Sequence, residues 1–274
     1  MICRKFFIGS EWIYYKIYSG PKTIEGILIS LYPKIRSFIE EGKVDFFFFI
    51  RYSDPEYHIR LRMHISSSES LQPILLEINK FLNNLVENHI ISNVMIGTYN
   101  REIERYGEET IEATEYFFYK DSEYILSYLE KKDDRGYDRW KISLKFMDTI
   151  MNVCGFSIDD KIQFAKGNKD AFYKELFGED KDASKVLNSK YRSLKNEIQN
   201  IMNEEGLPLF IEMKKYVHSF MQKKKNDSLY YSSIIHMHIN RMFRTRQRQI
   251  ELVLYHLLYK HLLSEKGRML YSSL

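Results

Sequence analysis

The sequence predicts an α+β fold in which a ferredoxin-like βαββαβ antiparallel sheet unit is followed by a helical C-terminal half. The first observation is the stretch 44–66, where an aromatic segment and an alternating segment flank a Ser-Asp-Pro-Glu turn, as in a β-hairpin. The second is that segments with helical periodicity, each next to a further strand-like segment, lie on both sides of this hairpin. The third is that helical periodicity dominates after residue 107.

The elements of the sheet unit follow one another within the first hundred residues. Pro21, directly after Gly20, is a typical first residue of a helix, and a Ser-rich segment at 66–69 opens a second helix. We expect both helices to pack on one face of the sheet and the helical half to cover the other face. The predicted strands are Glu11–Tyr18, Asp45–Tyr52, Tyr57–Ile65 and Asn93–Tyr99.

The remainder of the chain is predicted to be helical. No linker rich in Pro, Gly or Ser separates the two halves, so we expect residues 1–274 to form a single α+β domain. Its sheet-bearing half is expected at 10–106 and its helical half at 107–274. The predicted helices are 109–131, 139–154, 159–176, 184–203, 208–222, 228–243 and 246–263.

Composition excludes several classes of function. A chain of 274 residues with 44% hydrophobic content can bury a sizeable core, and a net charge of +4 is too small to indicate nucleic acid as a partner. Cys3 and Cys154 are far apart, which predicts neither a zinc site nor a disulfide framework. No signal peptide or long apolar run is present, so a cytoplasmic location is expected. Nucleotide-binding, zinc-hydrolase and serine-hydrolase motifs are absent, and no cofactor or metal is expected.

The alternating strand contains a row of potentially cationic side chains. His58, Arg60, Arg62 and His64 point to one side of it, and Arg51 lies on the neighbouring strand. Arginine under partial cover needs an anion, and its fork suits a carboxylate. Pairing with Asp or Glu elsewhere in the chain is an equally good explanation from the residues alone. The two histidines are better explained as a turn-edge and a strand-end residue.

His236 is a second candidate for chemistry. It lies on a predicted helix with Asn240 one turn later on the same face, among the apolar residues Met237, Ile239 and Met242. Such surroundings favour a neutral imidazole that can act as a base. From the residues alone, a core histidine satisfied by Asn240 or a backbone carbonyl is the better interpretation.

Four segments carry recognisable motifs. They are FFFFIRYSDPEYHIRLR at 46–62, YNREIERYG at 99–107, IHMHINR at 235–241 and EWIYYKIY at 11–18. In this order they resemble the FIRYxDPxxHLRLR, YxREIERYGG, HMxxNR and opening-strand segments of the C-terminal domain of lantibiotic dehydratases. These are also called thiopeptide-type bacteriocin biosynthesis proteins. The resemblance spans most of the chain.

The resemblance implies an enzyme that removes glutamate from glutamylated Ser or Thr of a ribosomally made precursor peptide, giving dehydroalanine or dehydrobutyrine. It implies His236 as the catalytic acid/base, since the first His of HMxxNR has that role in the family, while His238 falls at a variable position. Arg51, Arg60 and Arg62 would act as electrostatic clamps for the enolate oxygen and the glutamyl leaving group. The residues expected to bind substrate are Tyr52, Tyr99, Arg101, Glu102, Asn240 and Arg241.

The expected partners follow from the same resemblance. They are the precursor peptide, with its leader and glutamylated core, and a separate protein that installs glutamate from glutamyl-tRNA. The chain would be the standalone elimination component of a split dehydratase, without direct contact to nucleic acid. A cyclase and a second copy of the chain are further candidate partners.

Three alternatives stay open at this stage. Related thiopeptide enzymes join two dehydroalanines into a pyridine ring by a formal cycloaddition. A βαββαβ unit with aromatic strands could also be a non-catalytic peptide- or RNA-binding module, although the glycine-bearing RNP1 pattern is missing. The charged segment 99–107 could equally form a local salt-bridge network.

Overall fold

The computed structural model describes residues 2–131, 138–204, 223–224 and 227–272. The chain divides into two compact units, residues 1–134 and 135–274, here called the sheet unit and the helical unit. The helix predicted at 208–222 lies outside the described residues. Packing of the helical half on the open face of the sheet stays a prediction, as does the organisation of both halves as one domain.

The sheet unit has the predicted βαββαβ order. Its sheet has the spatial order β3-β4-β2-β5 with antiparallel neighbours, which confirms the ferredoxin-like arrangement. The predicted hairpin is formed by β3 and β4, and the Asp54–Pro55 peptide bond in its turn is cis. The elements are β2 (Trp12–Tyr18), α1 (Pro21–Glu40), β3 (Val44–Ser53), β4 (Tyr57–Ile65), α2 (Leu71–Glu87) and β5 (Asn93–Ile96).

Two short strands extend the sheet unit beyond the prediction. β1 (Lys5–Phe6) pairs with β6 (Tyr99–Asn100) in a separate two-stranded sheet. The strand predicted over 93–99 is therefore two strands, β5 and β6, with different partners. A pair of two-residue strands is too short to show an alternating pattern in the sequence.

Helix α4 belongs to the sheet unit, although the sequence placed it in the helical half. α4 (Ile111–Lys131) follows the short helix α3 (Ile103–Tyr106) and packs against the edge strand β3. Phe118 contacts Phe48 with their ring centres 5.7 Å apart, and the Phe49 amide donates a hydrogen bond to the Ser122 hydroxyl. The apolar residues of α4 are thus used against the sheet.

The two faces of the sheet differ in chemistry. One face is apolar and carries α1, whose Tyr32 ring lies 6.0 Å from that of Phe47. The other face carries Lys16, Arg60 and Arg62 between aromatic side chains, as strand alternation requires. The buried apolar residues of the α1 face include Ile13, Tyr15, Ile17, Val44, Phe47, Phe49, Ile59, Leu61, Met63 and Ile65.

A buried ion pair joins α1 to β3. Arg51 donates to Glu25 at 2.8 Å, and their side chains are 0% and 2% exposed. Arg51 also hydrogen-bonds the Tyr57 side chain. This guanidinium therefore has its anionic partner within the fold.

The helical unit confirms the predicted helices that fall within the described residues, with small differences at the ends. A capping box of Ser157 and Asp160 starts α6, and α9 runs nine residues beyond its predicted end. α9 packs along α6, where Phe172 stacks on Tyr255, and it also contacts α5, α7 and α8. The helices are α5 (Arg139–Val153), α6 (Ile158–Phe177), α7 (Asp182–Asn203), α8 (Ser228–Met242) and α9 (Gln247–Ser272).

None of the helices in the described ranges combines the length and the apolar character that crossing a membrane requires.

The Arg51–Glu25 pair leads to a stability prediction. Glu25→Gln removes the carboxylate that pairs with a buried guanidinium, so we expect the free energy of unfolding to fall by about 3–5 kcal/mol. Glu77→Gln is the control, because Glu77 forms an exposed pair with Lys34 and its loss should cost about 0–1 kcal/mol. Urea titrations followed by circular dichroism measure both; equal midpoints for the two variants would contradict the prediction.

Candidate active site

Three cations share the face of the sheet opposite α1, and we call Lys16, Arg60 and Arg62 the cationic face. Lys16 lies directly across from Arg60 in the β2–β4 register. Like charges at facing positions destabilise a sheet. Within the ranges that the structure describes, none of the three forms an ion pair with a carboxylate. This face therefore carries positive charge that an external anion could neutralise.

Aromatic rings hold Arg62 in place. Its Cζ lies 4.9 Å from the ring centre of Tyr14, 5.2 Å from Phe48 and 4.8 Å from Tyr99, and the residue is 6% exposed. Its buried Nε has no hydrogen-bond acceptor among the described residues. Cation–π contacts stabilise a guanidinium without neutralising it, so the charge of Arg62 is still available to a ligand.

Arg60 is held by Tyr52 and His58. Its Cζ lies 3.4 Å from the centre of the Tyr52 ring, and its Nε donates to Nε2 of His58 at 3.3 Å. His58 in turn donates from Nδ1 to the Glu56 carbonyl oxygen at 2.9 Å. Burial lowers the pKa of His58, and the nearby charges of Arg60 and Lys16 act in the same direction. His58 is therefore a neutral acceptor that orients Arg60.

Behind Arg62 lies a buried network of three polar side chains. The Tyr99 hydroxyl donates to Glu115, and Arg101 grips both oxygens of that carboxylate at 2.8 and 2.7 Å. Burial raises the pKa of Glu115, which Arg101 partly offsets. Arg101, predicted to bind substrate, thus has an internal partner and fixes the Tyr99 ring that covers Arg62.

The neighbouring Glu102 also has a partner in the chain. It is exposed and pairs with Arg105 at 3.2 Å. This pair lies within the segment 99–107, whereas Arg101 and Glu104 pair with Glu115 and Arg4 outside it.

Arg51 is separated from the other two arginines by the sheet itself. It faces Ile59 across the β3–β4 pair and points to α1, whereas Arg60 and Arg62 point the opposite way. Arg51, expected to act as an electrostatic clamp together with Arg60 and Arg62, therefore lies on the opposite face of the sheet from them. The alternation within each strand was predicted correctly. The register between the two strands could not be predicted from the sequence.

His236 occupies a distinct setting in the helical unit. Its Nδ1 lies 2.6 Å from Oε1 of Glu251, which projects from the following helix, α9. The His236 side chain is 29% exposed and that of Glu251 is 1% exposed. The ring thus has one edge fixed by a buried carboxylate and remains accessible.

The other residues of the α8 motif are more deeply placed. His238 is fully buried, shares a hydrogen bond of 3.2 Å with the Ser143 hydroxyl and stacks on Phe146 with ring centres 3.8 Å apart. Arg241 is also fully buried, and Asn240 is half-buried. Of the two histidines of this motif, only His236 has an accessible ring.

Three residues of these sites, Lys16, Glu115 and Glu251, were not predicted from the sequence. Lys16 is in phase with Tyr14 and Tyr18 of β2, so alternation could have assigned it to the same face as Arg60. Glu115 and Glu251 interrupt apolar helical stripes, which is an unusual position for a carboxylate. That interruption was the signal that could have found them.

One cavity lies apart from the predicted site residues. A cavity of about 610 Å³ lies in the helical unit between Trp140, Leu194 and Leu257, with Lys190 and Arg246 in its lining. None of the predicted site residues lines this cavity. Over the same described ranges, no group of three His, Cys, Asp or Glu side chains is arranged to hold a metal ion.

The fold and the motifs define the family. The model of the lantibiotic biosynthesis dehydratase C-terminal family matches residues 12–262, and the chain belongs to this family. Among curated relatives, it is 29% identical to the nisin biosynthesis protein NisB of Lactococcus lactis subsp. lactis over 94% of the chain. The match covers 26% of NisB, so the chain spans about a quarter of that relative.

Solved structures show the same fold. The tRNA-dependent lantibiotic dehydratase MibB of Microbispora sp. 107891 matches 98% of this chain with a TM-score of 0.73 and 19% identity, over 29% of its own length. The pyridine synthase TbtD of thiomuracin biosynthesis matches 94% of this chain and 99% of its own, with a TM-score of 0.64 and 11% identity. This fold therefore occurs both as part of a long chain and as nearly a whole one.

The neutral state of buried His58 makes a prediction about pH. The native state disfavours protonation of this ring, whereas the unfolded chain takes up a proton below about pH 6.5. Its contribution to stability is therefore complete above that pH and is lost as the pH falls. We expect His58→Gln to flatten the decline in unfolding free energy between pH 7 and 5. The exposed His89→Gln is the control, and parallel curves for His58→Gln and the parent would contradict the prediction.

Proposed function

We propose that this protein catalyses the glutamate-elimination step of a lantibiotic-type dehydratase. It would remove glutamate from glutamylated Ser or Thr of a ribosomal precursor peptide and leave dehydroalanine or dehydrobutyrine. Family membership supports the reaction class, and one observation carries the proposal: a face with three cations and no carboxylate partner among the described residues.

The leaving group explains the need for such a face. In a glutamyl ester one carboxyl group is esterified and the other is a free carboxylate. When the Cβ–O bond breaks, the esterified group becomes a second carboxylate. Lys16 and Arg60, adjacent across β2 and β4, are suited to hold these anions, because arginine binds a carboxylate by two parallel hydrogen bonds.

The buried position of Arg62 suits a different part of the reaction. Removal of the proton from Cα places negative charge on the neighbouring carbonyl oxygen, which a fixed donor must stabilise. Arg62 is desolvated by three rings, and electrostatic interactions are stronger in such surroundings. We assign it to that oxygen, with Tyr99 and Tyr52 as the aromatic supports of the two arginines.

His236 is the proposed base. Its Nε2 takes the Cα proton, the electrons of the C–H bond form the Cα=Cβ double bond, and the Cβ–O electrons leave with the glutamate carboxylate. An accessible imidazole fits this task. Substrate contacts by Asn240, Arg241 and Glu102 remain predictions.

Arg51 and Arg101 receive structural roles in this proposal. Each is neutralised by a buried glutamate, Arg51 by Glu25 and Arg101 by Glu115. A guanidinium already bound in this way has little charge to offer to a ligand. Arg101 would act through Tyr99 and Arg51 through the stability of β3.

The partners follow from the reaction. The substrate is a precursor peptide with a glutamylated core, and glutamylation from glutamyl-tRNA is the step that precedes elimination. A cyclase and a second copy of the chain remain candidate partners.

Pyridine formation is the second candidate function. The pyridine synthase TbtD has the same fold over almost all of both chains, which makes pyridine formation the alternative to test. An RNA-binding role has less support, because Tyr14, Phe48 and Tyr99 are buried around Arg62 and offer no open ring for base stacking.

Activity can be measured with purified components. The protein is given a precursor peptide already glutamylated by its partner, without ATP or glutamyl-tRNA, and mass spectrometry follows the loss of glutamate. We expect a peptide one water lighter than the unmodified form at each site. His236→Ala should slow elimination by about 10²–10⁴-fold and Arg62→Gln or Arg60→Gln by about 10²–10³-fold. Lysine at either position should restore activity only in part, because the fork is lost.

The control is Arg36→Gln. Arg36 also stacks on a tyrosine, Tyr32, but it lies on α1 and pairs with Glu130. It should eliminate at the parent rate. If the His236, Arg60 and Arg62 variants do so too, the mechanism is wrong; if the parent leaves glutamylated peptide intact but cyclises a dehydrated one, pyridine formation takes its place.

A further inference from the structure

We infer that Glu251 is a positioning residue that fixes the tautomer of His236, with the proton on Nδ1 and Nε2 free to act as the base. Its value for catalysis rests on the proposed function. The tautomer itself is a property of the protein without substrate. An experiment can therefore refute the tautomer assignment and the proposed function independently of each other.

The geometry assigns the proton. Nδ1 of His236 and Oε1 of Glu251 are 2.6 Å apart, which is a short hydrogen bond. An ionised carboxylate can only accept, so the hydrogen must be on Nδ1. In the neutral ring Nε2 then carries a lone pair.

The burial of Glu251 shows that this contact is energetically important. Its side chain is 1% exposed, and within the described ranges its hydrogen-bond and ion-pair contacts are confined to His236. A buried carboxylate without a partner is very costly. The Glu251 carboxylate also acts on Tyr255, one turn further along α9. The pKa of Tyr255 is raised mainly by burial and in addition by the charge of Glu251.

The choice of partner separates this pair from the other buried glutamates. Glu25 pairs with Arg51, and Glu115 pairs with Arg101; both arginines are permanently charged. Glu251 pairs instead with a group that can be neutral before a proton transfer and cationic after it. An arginine in place of His236 would neutralise the Glu251 carboxylate equally well if the pair had only a structural role.

The chemical consequence follows from charge balance. When Nε2 takes the substrate proton, the imidazolium forms next to the Glu251 carboxylate and is stabilised by it. The proton can then leave to solvent from the accessible edge of the ring.

His238, two residues along the same helix, provides an internal comparison. Its Nε2 partner is the Ser143 hydroxyl, which can donate or accept and so does not impose a tautomer. Ser143→Ala therefore removes a histidine hydrogen bond from α8 without touching the proposed pair.

The test uses ¹⁵N spectra of the histidine rings in the substrate-free protein, assigned with His236→Ala. We expect the parent to show the Nδ1–H form of His236. Glu251→Gln keeps the size of the side chain, but its amide can donate to Nδ1, so the ring should shift toward the Nε2–H form. Elimination should then lose about 10²–10⁴-fold in kcat with little change in KM, and Glu251→Asp should recover part of it. Ser143→Ala should leave both readouts at the parent values.

Two results would overturn the inference: an Nε2–H ring in the parent, or a folded Glu251→Gln variant with the parent tautomer and parent kcat. If Glu251→Gln does not fold, the tautomer of His236 in the spectrum of the parent protein alone tests the inference. An Nδ1–H ring in a parent that eliminates nothing would support the tautomer assignment and refute the proposed function.

Discussion

The sheet unit depends on holding three like charges on one face without neutralising them. A carboxylate beside Arg62 would stabilise the fold more simply, but it would also remove the charge. The structure uses aromatic rings instead, with Tyr14, Phe48 and Tyr99 around Arg62 and Tyr52 against Arg60. The high content of Tyr and Phe, 21 and 18 residues, therefore has a local electrostatic use in addition to filling the core.

Buried carboxylates are kept one layer away from this face. Glu115 binds Arg101 and the Tyr99 hydroxyl, and the Arg62 guanidinium helps to lower its pKa without forming an ion pair with it. Glu25 is on the other side of the sheet with Arg51. Two of the arginines in these motifs thus secure the fold, and the other two are available for a ligand. Mutations of the four should accordingly separate into losses of stability and losses of activity.

Much of the fold was predictable because strand alternation and helical periodicity are local patterns. Alternation in β4 placed Arg60 and Arg62 together, and the order of the elements gave the ferredoxin-like sheet. The face of Arg51 was not predictable, because it depends on the register between two strands. The partners Glu25, Glu115 and Glu251 come from elements distant in sequence, and single-sequence patterns do not report such pairings. The roles proposed for Arg60, Arg62 and His236 rest on motif resemblance as well as on geometry.

The central claim is that the cationic face binds the glutamate leaving group, and the most direct measurement is a titration of the protein with free glutamate. The Nε–H resonance of Arg60 in ¹⁵N spectra would be followed, with glutamine as the ligand that lacks the second carboxylate. The account predicts a saturable shift with glutamate, a weaker one with glutamine, loss of binding in Arg60→Gln and weakening by salt. An Arg60 resonance that glutamate leaves unchanged, or binding that survives intact in a folded Arg60→Gln variant, would contradict it.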